Sequence, residues 1–258
     1  MTASGCGAAN WLVLTSNDTL VSTPAQSNVC YRDIWISTDG IRLHGWFAEG
    51  LPFKPLILMF HGNSSNISDC MEYIRHFHAS GFSVCIFDYR GYGVSSGESF
   101  GEDDLYEDAR NVLSFLERRG WRSNSIIYYG QSMGAAVALQ MALEQPPAGV
   151  VLESPFTSFH EIALFHSPAW YGLLGRFIID IPFENDAKVA LLDAPLLIIH
   201  GEEDEVVPVE MSLHLFTRAR SNKSLYLVPG GRHCDLISDG SGAIARIIAN
   251  FTTAVTGG

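Results

Sequence analysis

From Tyr31 onward the apolar positions fall into short blocks that switch between strand-like and helix-like spacing. Tyr31–Ser37 and Arg42–Ala48 flank Thr38-Asp39-Gly40, whose Asp-Gly pair signals a tight turn, so they predict an antiparallel hairpin. Leu56-Ile57-Leu58-Met59-Phe60 is a continuous apolar run, the pattern of a strand buried on both faces. Asp69–Ala79 predicts a helix closed by Gly81, and Phe82–Phe87 a strand. Glu102–Arg119 predicts a helix with acids in its first turns, basic residues at its end and Gly120 as its stop. Strands are then predicted at Ser125–Tyr129, Gly149–Leu152, Pro195–Ile199 and Ser224–Val228, and helices at Met133–Glu144, Met211–Ala219 and Ala243–Phe251.

Eight strands result, the first two joined as a hairpin and the rest through helices. This is an α/β chain with an eight-stranded, mostly parallel sheet flanked by helices. The rhythm breaks at 155–194, which hold no clear strand but many aromatic and aliphatic residues, and read as a short helical cap over the sheet. Residues 1–29 show little periodicity and are rich in Ser, Thr and Asn. The expected organisation is an N-terminal arm (1–30), a core in two parts (31–154 and 195–258) and a cap insertion (155–194).

Composition narrows the function classes. The 258 residues are 47% apolar and 17% charged, enough to build a large core and too apolar for a disordered chain. The net charge of −12, with no Lys/Arg cluster beyond Arg118–Arg119, argues against a nucleic-acid partner. Five cysteines without a C-x-x-C support neither a zinc site nor a dithiol motif, and Cys85 reads as a small buried hydrophobe. No apolar stretch is long enough to cross a bilayer, and no basic region followed by an apolar segment marks a signal peptide. Cys6, without an apolar segment upstream, makes a poor lipidation site. A cytoplasmic location and no cofactor are expected.

Chemistry in such a sheet belongs outside the carboxyl ends of the strands. Two segments match G-x-S-x-G, at Gly130–Gly134 and at Gly93–Gly97. Ser132 follows its strand without a gap and runs straight into a small-residue helix start, the strand–turn–helix that exposes a nucleophile. Ser95 lies several residues beyond its strand and reads as a loop serine. A serine hydroxyl needs a base. His233, in a Gly-rich loop between the last strand and the last helix, is the candidate. His61 and His200 each end a strand before a glycine and are expected to fix loops. His76 and His78, two apart on a helix, cannot face one site. The base needs a carboxylate to set its tautomer. Asp204 is the candidate within the acidic run Glu202–Glu205, and Glu153 at a strand end is the runner-up. Oxyanion donors are expected from the amides of Met133 and Asn63, with Ser64 as a weaker alternative.

Taken together, His61-Gly62, Asp88 to Gly97, the Gly130–Gly134 elbow, His200 to Asp204 with Val207-Pro208, and Gly231-Arg232-His233 resemble the α/β-hydrolase superfamily from about Tyr31 onward. The resemblance is strongest to the serine aminopeptidase-like branch, which includes esterases, thioesterases and monoglyceride lipases. It implies the α/β-hydrolase fold with its Ser-Asp-His order. It further implies a carboxylesterase acting on a small-molecule ester through an acyl-enzyme. Serine at position 132 departs from the dehalogenase and epoxide-hydrolase branches, which use aspartate. Phe156, Phe159, Trp170 and Phe177 are the expected lining of an apolar acyl or aryl pocket. Two enzymatic alternatives share the triad, a thioesterase and an aminopeptidase, the latter requiring a pocket carboxylate such as Glu161 or Glu184. A non-catalytic binding protein with the same fold is the third.

Overall fold

The computed structural model describes residues 14, 17–166, 182–233, 236–238 and 242–257. One sheet of eight strands runs through it: β1 (Arg32–Thr38), β2 (Ile41–Ala48), β3 (Leu56–Phe60), β4 (Ser83–Phe87), β5 (Ile126–Gln131), β6 (Gly149–Glu153), β7 (Leu196–Gly201) and β8 (Lys223–Val228). Their spatial order is β1-β2-β4-β3-β5-β6-β7-β8. The pairs β1–β2 and β2–β4 are antiparallel and all the others parallel. The β1–β2 register ends at Thr38 opposite Ile41, leaving Asp39 and Gly40 as a two-residue turn with both φ angles positive, the geometry that twisted strands favour.

Helices cover both faces: α1 (Met71–Ala79), α2 (Glu102–Glu117), α3 (Met133–Glu144), α4 (Phe159–His166), α5 (Asn185–Val189), α6 (Val209–Arg218) and α7 (Ala243–Thr256). Strand side chains alternate between faces, which explains why the central strands are apolar at every position. Leu56, Leu58, Phe60, Tyr128, Val150 and Leu152 pack into the core beneath α2 and α3. Ile57, Met59, Ile127, Tyr129, Val151 and Ile199 pack into a second core with α1 and α7. Cys85 is fully buried, and burial pushes its thiol up to about 12.

Several element ends differ from the sequence reading. The segment expected to open a helix at Asp69 instead begins as a 3₁₀ turn over Ile67–Cys70, with the Asn66 side chain accepting the Ser68 N–H at 2.9 Å, and α1 starts at Met71. Strands β5, β6 and β7 run on to Gln131, Glu153 and Gly201. Their last residues are polar or glycine, so the apolar pattern stops before the hydrogen-bonded ladder does. Those extra residues lead directly into Ser132 and into the loop that holds Asp204. Between β6 and β7, the described residues form α4 and α5. Trp170 and Phe177 lie outside the described residues.

Candidate active site

Ser132 sits at the carboxyl end of β5, the N-cap of α3, with φ 53° and ψ −114°. A side chain in this region of backbone space is strained, and the surroundings must hold it there. They do so through the main chain: the Ser132 N–H donates to the Glu153 carbonyl at 2.9 Å and the Ala135 N–H to the Ser132 carbonyl at 2.9 Å. The flanking glycines are needed for space. A Cβ at Gly134 would lie 1.9 Å from the Phe60 carbonyl oxygen, and one at Gly130 would lie 2.3 Å from that of Gly134. These contacts fix Ser132, itself almost fully buried, at the carboxyl end of the sheet.

His233, 101 residues away in sequence, meets it. The Ser132 hydroxyl lies 3.1 Å from His233 Nε2, and His233 Nδ1 lies 2.7 Å from Asp204 Oδ2. A carboxylate only accepts, so Nδ1 carries the proton and Nε2 is left to accept from Ser132. Asp204 has a fully buried side chain. Its Oδ1 accepts the N–H groups of Val206 and Val207 at 2.9 and 2.8 Å. His200 Nε2 approaches Oδ2 at 3.2 Å. Burial alone would raise this carboxyl. The bonds from His200 and His233 and from the Val207 amide outweigh it and hold Asp204 well below the usual carboxylate range. Such a line of hydroxyl, imidazole and carboxylate can move a proton off the serine oxygen and return it.

His200 and His61 do fix loops. His200 Nε2 donates to the Val207 carbonyl at 2.9 Å, and the Ser212 hydroxyl donates to Nδ1 at 2.6 Å. His61 Nδ1 donates to the Gly62 carbonyl at 2.8 Å, with its ring packed against Tyr89 and Tyr92. Ser95 is a tie between segments: its hydroxyl donates to the Asp88 carbonyl and accepts the His44 N–H, both at 2.8 Å. Glu153 is not the acid on the imidazole. Its carboxylate lies instead under the elbow, bonded to Tyr73, Tyr129 and Gln131.

Asn63 and Met133 line one small cavity, of about 10 Å³, with Leu14, Phe156, Phe159, Ile162 and Phe183. Phe156 and Phe159, two of the residues expected to line an acyl pocket, both border this cavity, and Leu14, Ile162 and Phe183 border it without having been among those expected. Phe183 is fully buried at φ 42°, with its ring against Phe156, Phe159 and Tyr106. Its N–H donates to Glu102 Oε2 at 2.6 Å, tying it to the start of α2. The motif Ile181-Pro182-Phe183, an apolar triplet before an acid, was the one available signal. Another depression, lined by Leu51, Pro52, Phe53 and Trp121 among others, lies by the starts of β4 and β5, away from Ser132. Among the described residues no group of three or more His, Cys, Asp or Glu is arranged to hold a metal ion, and no helix is long and apolar enough to cross a membrane.

The sequence profile of the family described as serine aminopeptidase, S33, matches residues 52–192 and 184–239. An uncharacterized protein of Mycobacterium tuberculosis is 38% identical over 208 residues, 79% of this chain and 73% of that protein. A lysophosphatidylserine lipase of Xenopus tropicalis is 31% identical over 210 residues, 74% of this chain and 54% of the relative. Among solved structures, an esterase of Pyrococcus furiosus matches with a TM-score of 0.78 at 20% identity, covering 94% of this chain and 99% of that one, a likeness of fold. Sheet order, elbow and profile agree, and the chain belongs to the serine aminopeptidase S33 family of α/β-hydrolases.

Proposed function

We propose that the protein is a carboxylic-ester hydrolase that cleaves small-molecule esters with an apolar acyl or aryl group. The observation that carries this reading is the line from Ser132 through His233 to Asp204 beside an apolar cavity that includes Asn63 and Met133. Ser132 Oγ attacks the ester carbonyl carbon while His233 Nε2 takes its proton. The carbonyl oxygen becomes an oxyanion that accepts from the amides of Met133, at the positive end of α3, and Asn63. The intermediate collapses as His233 returns the proton to the departing alkoxide, which leaves as an alcohol. Water, deprotonated by the same nitrogen, then releases the acid from Ser132. Asp204 keeps the proton on Nδ1 and stabilises the imidazolium in both halves.

An ester is favoured over a peptide with a free amine because none of the described residues lining the cavity is charged. Glu161, one of the two candidate amine-binding acids, accepts from the Thr157 hydroxyl, and Glu184 is exposed. A lipase among the relatives and an esterase of the same fold agree with ester cleavage. The test is turnover of p-nitrophenyl acetate and butyrate by the pure chain, with Ser132→Ala as control. Ser132→Ala removes turnover and fluorophosphonate labelling with the fold intact. Full activity in that variant refutes the assignment. Aminoacyl-arylamide turnover matching ester turnover transfers it to the peptidase class.

A further inference from the structure

The cavity beside Asn63 and Met133 holds little free space. Its volume of about 10 Å³ is on the order of what a single water molecule needs. A long acyl chain can enter only where a wall side chain gives way. Of the described residues around the cavity, Met133, Phe156, Phe159, Ile162 and Phe183 belong to the buried core, where neighbours on every side resist movement. Asn63 is half-buried, and its Oδ1 accepts the Tyr92 hydroxyl at 2.9 Å. Leu14 is the remaining wall. It too is half-buried, and it packs against that core from its margin.

Leu14 comes from the N-terminal arm, outside the residues 52–192 and 184–239 that match the family profile. Hydrogen bonds tie the arm to the segments that follow β3 and β4. The Asn17 carbonyl accepts the Gly93 N–H at 2.8 Å and Asn66 Nδ2 at 3.3 Å, and the Thr19 carbonyl accepts the same Nδ2 at 2.8 Å. The Val21 N–H donates to Ser68 Oγ at 3.1 Å, and the Ser22 hydroxyl donates to the Ser68 carbonyl at 2.9 Å. Leu14 also borders an adjoining depression of about 390 Å³, together with Asp18, Arg90, Tyr92 and Phe100. It thus stands between the small cavity at Asn63 and Met133 and a space of the size that small ligands occupy.

We propose that Leu14 is the specificity-determining residue for acyl length. It closes the acyl pocket, so that short acyl groups are accepted and longer ones excluded. The cause is steric: the core side chains around the cavity are fixed, and the leucine of the arm fills the one direction in which the pocket could extend. The proposal deepens the ester-hydrolase reading and rests on it for its kinetic arm. Calorimetric binding of octanoate, which needs no turnover, tests the wall by itself.

The experiment compares the whole chain with Leu14→Ala and Leu14→Phe, using p-nitrophenyl acetate, butyrate and octanoate. In the wild type kcat/KM falls as the acyl chain lengthens. Leu14→Ala removes three carbons from the wall. The ratio of kcat/KM for octanoate to that for acetate should rise about fourfold for each substrate methylene that takes their place. Leu14→Phe moves the same ratio below the wild-type value, and it decides the matter if Leu14→Ala does not fold. Octanoate itself binds more tightly to Leu14→Ala than to the wild type, by a similar factor. The same chain-length order and the same octanoate affinity in all three proteins overturn the proposal. Absent ester turnover in the wild type refutes the proposed reaction instead. In that case tighter octanoate binding by Leu14→Ala upholds Leu14 as the wall, and equal binding overturns it.

Discussion

Asp204→Asn is the sharpest probe of the site, because the structure determines which way the new amide must point. Oδ1 accepts two main-chain N–H groups, from Val206 and Val207, at 2.9 and 2.8 Å. An asparagine must keep its oxygen there, since turning its NH₂ towards those amides would set donors against donors. The NH₂ therefore replaces Oδ2 and faces His233 Nδ1, which now lies 2.7 Å from the carboxylate. Nδ1 becomes the acceptor, the ring proton moves to Nε2, and that nitrogen can no longer take the proton of Ser132. The expected loss in kcat is about 10⁴-fold, the size of effect a wrong tautomer produces in a serine triad, with KM changed little. Stability also falls, by about 2 kcal/mol, since a charged acceptor of several buried bonds is replaced by a neutral one.

The pH dependence has a definite sign. Asp204 has its folded-state pKa depressed, so it stabilises the fold at every pH above the ordinary carboxylate range. That contribution is lost as pH falls through the unfolded value towards the lower folded one. The stability gap between wild type and Asp204→Asn is therefore widest near neutrality and narrows on acidification. Steady-state kinetics on p-nitrophenyl butyrate and urea unfolding at pH 7 and pH 4 measure both parts. A loss of less than tenfold in kcat with the fold retained would falsify the tautomer argument.

Two further substitutions test the elbow and the cavity. Gly134→Ala places a Cβ 1.9 Å from the Phe60 carbonyl oxygen, where backbone must move on both sides. It should cost at least about 3 kcal/mol and lower the Tm by roughly 6–12 °C for a chain of this size, and calorimetry showing an unchanged Tm contradicts the packing described. Phe183→Ala opens the far wall of the cavity that includes Asn63 and Met133. For each methylene the enlarged cavity newly buries, kcat/KM for a longer p-nitrophenyl ester should rise about fourfold relative to the butyrate. An acyl-chain series with the same optimum in both proteins removes Phe183 from the acyl pocket.

Much of this protein was legible in its amino-acid order because the relevant forces are local. The run Leu56–Phe60 is apolar at every position since a strand between two helical layers has no polar face. The segment around Ser132 was readable for the same reason: strand, glycine, serine, glycine and small-residue helix follow one another without a gap, and only that order lets the backbone bend so tightly. What local order could not decide was which distant groups meet. Four acids stand together at Glu202–Glu205, and only the packing of their loop turns Asp204 inward, onto the main-chain amides of Val206 and Val207 and the imidazole 29 residues later. Glu153, the runner-up for orienting that ring, is instead held beneath the serine by two tyrosines that β5 and α1 supply. Phe183 reaches the cavity because a hydrogen bond to Glu102, 81 residues away, draws its segment against α2. Spacing along the chain specifies what each segment becomes. The choice among chemically equivalent side chains is made by burial and by long-range hydrogen bonds, which exist only once the sheet has brought the carboxyl ends of its strands together.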